Sequence, residues 1–558
     1  MSPRLFALAL LVLGAAAQTT AGAAAEAAHE RLVIGVSQFP SNFNPLINGL
    51  VVKSYVLGAA LRPLTAYDKD WKLVCVMCDR LPTIENGLAR PERQPDGRMG
   101  IAVTLTLPAK AKWADGVPVT SADVVFTWNV GRHPDSGVSN GDAFRRIRAI
   151  DVKDDRTFTL HLDKLTFNYN DLGDFQILPA HLERAAFADP KAYRNRSLYE
   201  AATTNPGLYD GPYRIADVAR GQYVVLERNP YWWGRPPAFR QVVIRTIEAT
   251  PALEANLLAG GVDMIAGEIG LSMDGALAFE ARHRPEWRVI YKPGLSYEHI
   301  TLNVDNPVLA DRRVRQALLY GLPRQAMVHR LFQDRQPVAD TLVNPLDWCY
   351  DPNVPKYGYD PAKAARLLDE AGWRLGADGL RRDARGRPLE FELMTTAGNR
   401  TREVMELVIQ QEWRRLGIRV SLRNQPARTL FGDTVLRHAF RDMALFAWVS
   451  APENVPRSQL RSDMVPTAAN NYAGENAGGY RNPAMDKLID AIEVELDRDK
   501  RRVLWSRLQR LYAEDLPELP LTFRADPFVL PLWLKGVEPT GHQYPTTLWI
   551  EDWRADGG

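Results

Sequence analysis

TREVMELVIQQEWRRLGIRVSL, residues 401–422, carries the change of periodicity that sets the fold class. Thr401 begins a helix in which Val404, Leu407 and Val408 recur at three- and four-residue spacing, the pattern of one helix face. Gly417 stops the helix, because glycine takes the left-handed conformation of a helix end at little cost. Ile418, Val420 and Leu422 then alternate with Arg419 and Ser421, the two-residue period of a strand. A helix that runs through glycine into a strand is half of a crossover unit, and such units build helix-covered sheets.

The same grammar recurs on both sides. Asp311 caps a helix whose Val314, Ala317 and Leu318 share a face, with Gly321 as its stop. Asp360-Pro361 places a cap before a proline at the first helical position, followed by Ala364, Leu367, Leu368 and Ala371 and the stop Gly372. Asn482-Pro483 opens a helix with Met485, Leu488, Ile489, Ile492 and Leu496 on one face. Another carries Val503, Leu504, Leu508, Leu511 and Tyr512 and ends at Pro517. Each stripe reads as core. Nearer the N-terminus, residues 31–37, 99–107 and 156–162 read as strands. Asp115-Gly116 is a turn, and Thr120 with Asp123 forms a capping box that opens a helix through Trp128.

Composition bounds the function. The 558 residues are 46% hydrophobic and 24% charged, which are globular proportions and exclude a disordered or collagen-like chain. At about 150 residues per domain, the length predicts three to four domains or lobes. Lys and Arg exceed Asp and Glu by 69 to 67, so the concentrated positive charge of a nucleic-acid binder is missing. Arg4 precedes the uncharged run Leu5–Ala17, and alanine and glycine dominate up to Ala28. A basic start, a short apolar run and A-x-A sites predict a signal peptide over residues 1–28, cut after Ala17, Ala23, Ala25 or Ala27. No cysteine lies there, so the expectation is a periplasmic protein without a lipid anchor.

Cys75, Cys78 and Cys349 are the three cysteines. The C-x-x-C pair reads as a disulfide in an oxidising compartment, although a third cysteine leaves the pairing open. Phosphate-cradling loops, the dinucleotide glycine motif, H-E-x-x-H and the nucleophile elbow are all absent. The nine histidines are scattered singly. No catalytic residues, metal or cofactor are expected, and a binder is the simpler reading than a secreted hydrolase. Aromatic and small polar residues gather in four loop groups: Phe39 with Asn42 to Pro45, Tyr209 to Tyr213, Tyr231 to Trp233, and Trp448 to Asn454 with Asn470, Asn471 and Tyr472 nearby. They serve either as walls of a ligand site or as loop-anchoring packing.

Ordered motifs then tie the chain to a family. KWADGVPVTSADVVFTW (Lys112–Trp128), GPYRI (Gly211–Ile215) and LERNPYWWGRPP (Leu226–Pro237) are followed by LADRRVRQALLYGLPRQAMV (Leu309–Val328) and GYDPAKAARLLDEAGW (Gly358–Trp373). GGYRNPAMDKLID (Gly478–Asp490) and LPELPLTFR (Leu516–Arg524) complete the series. Together they resemble the extracellular solute-binding proteins of family 5, which serve ABC importers and bind dipeptides, oligopeptides, nickel complexes, oligosaccharides or opines.

The resemblance implies an α/β, two-lobed periplasmic-binding-protein fold (type II, venus-flytrap) with an extra family-specific domain. Lobe I would take residues 29–67, 207–295 and 516–558, the extra domain II residues 68–206, and lobe III residues 296–515. The implied partners are a small peptide-like solute and an inner-membrane permease, with the protein a monomer. Candidate ligand residues are Phe39, Asn42, Arg437, Trp448, Ser450, Glu453, Asn471 and Tyr472. Peptide binders of the family carry, three residues after the Trp that Trp448 resembles, an Asp that pairs with the peptide's α-amino group, and here that residue is Ala451. Either Glu453 takes the role, or the peptide lies differently, or the ligand has no free α-amine. Arg437 either meets a carboxylate or is a surface residue. Oligosaccharide or opine binding is the alternative within the family, with a nickel carrier or a hydrolase behind it.

Overall fold

Two long strands, Trp287–Leu302 and Glu518–Pro531, run antiparallel through the middle of a ten-stranded sheet. The computed structural model describes residues 30–556 apart from 48, 49, 436, 471 and 473; the expected signal peptide and Asn471 lie outside the described residues. On one flank of the long pair stand Met264–Ile265, Arg31–Val36, Gln241–Thr246, Tyr223–Arg228 and Tyr213–Ala219. On the other stand Met443–Val449, Glu390–Met394 and Arg419–Leu422. Glu390–Met394 pairs in parallel with both of its neighbours, and the helix Arg400–Arg415 makes the crossover expected from residues 401–422. Gly417 takes φ +83° at the stop. The fold class is mixed α/β, as the sequence predicts.

The pairing of the two long strands breaks between Pro293 and Tyr297. Gly294 is required at this break: a Cβ there would stand 2.9 Å from the Gly541 carbonyl oxygen, and Asn344 Nδ2 donates to the Gly294 carbonyl at 2.6 Å. A separate four-stranded antiparallel sheet holds Ala89–Arg93, Met99–Thr106, Thr157–Leu162 and Ile147–Val152 in that spatial order. The Thr120–Asp123 capping box forms, but its helix, Ser121–Arg132, runs four residues beyond Trp128. It stops where His133 precedes Pro134, because the residue before proline is pushed to extended backbone.

Buried residues group into several cores. One gathers residues from Leu32 to Ile269 with the tail from Phe528 to Trp553. Others centre on Trp413 and on Trp505. Two expected core positions are corrected. Leu407 is exposed, because the buried face of its helix is Met405, Ile409 and Trp413 at four-residue spacing. Val503 is exposed too, because Trp505, Leu508 and Tyr512 turn inward and a residue two positions from Trp505 lies about 200° round the helix. Cys75 and Cys78 are joined by a disulfide, and Cys349 is a buried free thiol. Among the described residues no helix is long and apolar enough to cross a membrane.

Candidate ligand cleft

Two adjoining cavities, of about 300 and 350 Å³, open between the first core and the core around Trp505. Arg146, Asn168, Asp171 and Ala451 line both. Tyr67 and the loop at residues 166–175 form one wall; the turn from Ala451 to Val455 forms the other. Each is near the lower bound of ligand sites, about 300 Å³. The walls also meet directly. The Phe167 N–H donates to the Glu493 carbonyl at 2.9 Å, Lys164 Nζ reaches Glu493 Oε2 at 2.7 Å, and the Arg501 guanidinium stacks 4.3 Å from the Phe167 ring. A larger cavity of about 520 Å³ lies between Arg132, Arg148 and Phe187. All its lining residues come from positions 129–187, so no second wall can close on a ligand there.

The turn opposite the loop is tightly specified. The Glu453 N–H donates to Asp347 Oδ2 at 2.8 Å, and Glu453 takes φ +57°, a left-handed conformation unusual outside glycine. Its carboxylate is already engaged, with Arg501 at 3.3 Å and Arg498 at 3.8 Å. Burial raises its carboxyl above the usual range, against the pull of Arg501. Glu453 therefore lines the cleft, but with its charge largely committed to its own side.

Asp171 differs. Its Oδ1 accepts the Gly173 N–H at 3.4 Å, and burial, reinforced by Asp174 and Glu453, lifts its carboxyl to about 6. Beside it Tyr67 and Tyr544 stand with ring centroids 6.4 Å apart. The Tyr544 hydroxyl lies so close over Gly173 that a Cβ there would be 1.4 Å away. None of these residues was a sequence candidate. The signal that could have found Asp171 and Gly173 is the stretch Asn168–Phe175, NYNDLGDF, which has the same aromatic and small polar composition as the four loop groups; Tyr67 and Tyr544 lie outside it.

Of the remaining described candidates, Trp448 and Ser450 line a space that meets the cleft at Asn454, and the others line neither cavity. Trp448 packs edge-on against Phe446 at 5.3 Å and, with Ser450 and Tyr297, lines a space of about 30 Å³, enough for one water. Asn454 Nδ2 donates to Ser450 Oγ at 3.2 Å. Arg437 stacks 5.1 Å from the Tyr472 ring and donates to the Gly432 carbonyl at 3.0 Å, and neither lines the two cavities. Phe39 meets Phe43 edge-on at 6.2 Å, and Asn42 Nδ2 donates to Ser41 Oγ at 3.4 Å, on the first core. The structure thus joins Trp448 with Ser450 and Arg437 with Tyr472, and puts Glu453 alone of the described candidates in the two adjoining cavities. Among the described residues no group of three or more His, Cys, Asp or Glu is placed to hold a metal ion.

Comparison with known proteins agrees with this architecture. A model of the bacterial extracellular solute-binding proteins, family 5 Middle, matches residues 83–462. The oligopeptide-binding protein AppA of Bacillus subtilis is 26% identical over 464 residues, which cover 82% of this chain and 81% of the relative. The crystal structure of an oligopeptide-binding protein from Thermus thermophilus, complexed with a pentapeptide, superposes with a TM-score of 0.71 at 30% identity, covering 93% of this chain and 96% of that one. NikZ from Campylobacter jejuni, in complex with Ni(L-His), shares the fold with a TM-score of 0.73 at 22% identity, covering 94% and 99%. Matched by the family model over more than half its length, the chain belongs to the bacterial extracellular solute-binding proteins of family 5.

Proposed function

We propose that the protein is the exported substrate-binding component of an ABC importer. It captures peptides or peptide-like solutes between its lobes and delivers them to the membrane permease, as a periplasmic monomer without chemistry of its own. The observation that carries this is the pair of adjoining cavities walled by Asn168–Phe175 on one side and Ala451–Val455 on the other. A site with two walls on different cores is one that domain closure can complete. The two long strands that cross the sheet would act as the hinge, with the break at Pro293–Tyr297 as its flexible point. Lobe I would take residues 29–67, 207–295 and 516–558, the extra domain 68–206, and lobe III 296–515. That relatives are named for oligopeptide binding supports the ligand class.

The test is thermal unfolding of the mature protein against di-, tri- and longer peptides, oligosaccharides, opines and nickel–histidine. A ligand at 100 times its Kd adds about 2.7 kcal/mol, a rise of roughly a few degrees for a chain of this size. A rise with peptides alone is the expected result. A rise with oligosaccharides or opines and none with peptides would overturn the peptide assignment.

A further inference from the structure

Asp171 is an acid without a cation of its own, placed in a cavity that two walls share. Its carboxylate accepts the Gly173 N–H at 3.4 Å and forms no ion pair among the described residues. Arg146 lines the same space, but its guanidinium is turned to Thr166 Oγ1 at 3.1 Å and lies 3.9 Å from Asp163. The other carboxylates at the cleft each have a side-chain partner: Glu493 pairs with Lys164 and Arg457, and Asp142 with Arg145. Asp174 accepts the Asn140 amide at 2.7 Å, and Glu453 faces Arg501 and Arg498. Across the cavity from Asp171, Ala451 presents a methyl group. Tyr67 and Tyr544 flank the acid with aromatic surface, and aromatic faces attract cations. A partly buried carboxylate in such a place is stabilised by a cation brought from outside.

We propose that Asp171 is the counter-ion for a free amine of the solute, which is therefore anchored at its positive end from the Asn168–Phe175 loop. The proposal rests on the reading of this cleft as the ligand site, and it narrows the ligand class to solutes with an unblocked ammonium group. The amine would sit between Asp171 and the Ala451 methyl group, and the rest of the solute would extend along the 300 Å³ compartment towards Asn454.

The experiment is equilibrium dialysis of the mature protein with three probes: a random tetrapeptide library, the same library N-acetylated, and putrescine. Retained peptides are counted by mass spectrometry for the wild type, Asp171→Asn and Ala451→Lys. The lysine supplies an internal ammonium from the opposite wall, and a melting curve of each unliganded variant reports folding. The expected result is at least tenfold preference of the wild type for free over acetylated peptides, removed in both variants. Equal retention of the two libraries, or an unchanged preference in a folded variant, overturns the proposal and leaves the receptor reading standing. Retention of putrescine but no peptide, dependent on Asp171, supports the amine site and overturns the peptide reading. Retention of nothing overturns both.

Discussion

Asp210 is wholly buried beside Arg62: its Oδ1 accepts the Arg62 main-chain N–H at 2.9 Å, and its Oδ2 has no partner. Burial lifts its carboxyl to about 7, against the opposing pull of that N–H and of the Arg62 charge. In the unfolded chain the same group titrates near 4. Between those values the folded state holds a proton that the unfolded state has lost. Asp210 therefore withdraws stability as pH rises from about 4 to about 7, and the loss is complete above that window. Asp171 and Asp526, lifted to about 6 and about 7, act in the same direction. Urea unfolding of wild type and Asp210→Asn from pH 4 to 8 should give a difference that grows in favour of the variant, reaching a few kcal/mol. Parallel profiles would mean that Asp210 stays ionised when folded.

Between elements, one buried carboxylate ties three together. Glu298 lies on the strand Trp287–Leu302 and contacts Arg402 of the helix Arg400–Arg415 at 3.1 Å and Arg524 of the strand Glu518–Pro531. Burial pushes its carboxyl up, but the Arg524 and Arg402 charges outweigh that and hold it below the usual range. Removing the acid leaves the buried Arg402 guanidinium without its counter-charge, beside the part-exposed Arg524. Glu298→Ala should cost about 3–5 kcal/mol in denaturant unfolding. A loss under about 1 kcal/mol, the worth of an exposed pair, would show that solvent reaches these charges. This triad was not legible in the sequence, because the partners stand 104 and 226 positions from Glu298. The caps were legible. Asp311, Asp360 and Asn482 each accept a main-chain N–H from the first turn of the helix they precede, a contact two or three residues long.

For the whole molecule, the contacts between the two walls set how tightly the cleft is held. Lys164 pairs with Glu493 across the cleft, Arg457 holds Glu493 from its own side, and Phe167 adds a main-chain bond and its ring. The Lys164 side chain is half exposed, so its pair is worth less than about 1 kcal/mol, or a factor of about 5 in any equilibrium it biases. Lys164→Ala should weaken binding of the preferred peptide by up to about fivefold, leave the unliganded unfolding midpoint unchanged, and enlarge the radius of gyration seen by X-ray scattering without ligand. An unchanged radius and affinity would show that Lys164 takes no part in closure.

What the chain determined by itself is local. Gly417, the helix caps, the capping box at Thr120 and the strands at Arg31–Val36 and Met99–Thr106 depend on residues within a few positions, where propensity and periodicity act. The ordered motifs from Lys112 to Arg524 added the family. Which face of a helix is buried was already beyond that reach: Leu407 and Val503 are apolar and regularly spaced, yet exposed, because their neighbours Met405 and Trp505 meet the core. The cleft lay further still. Asp171 and Ala451 share a cavity across 280 positions of chain, and Glu453 loses its freedom to Arg501, 48 positions away. Charge and burial act through space, so only the tertiary structure could decide which carboxylate at the cleft is left with a main-chain partner alone.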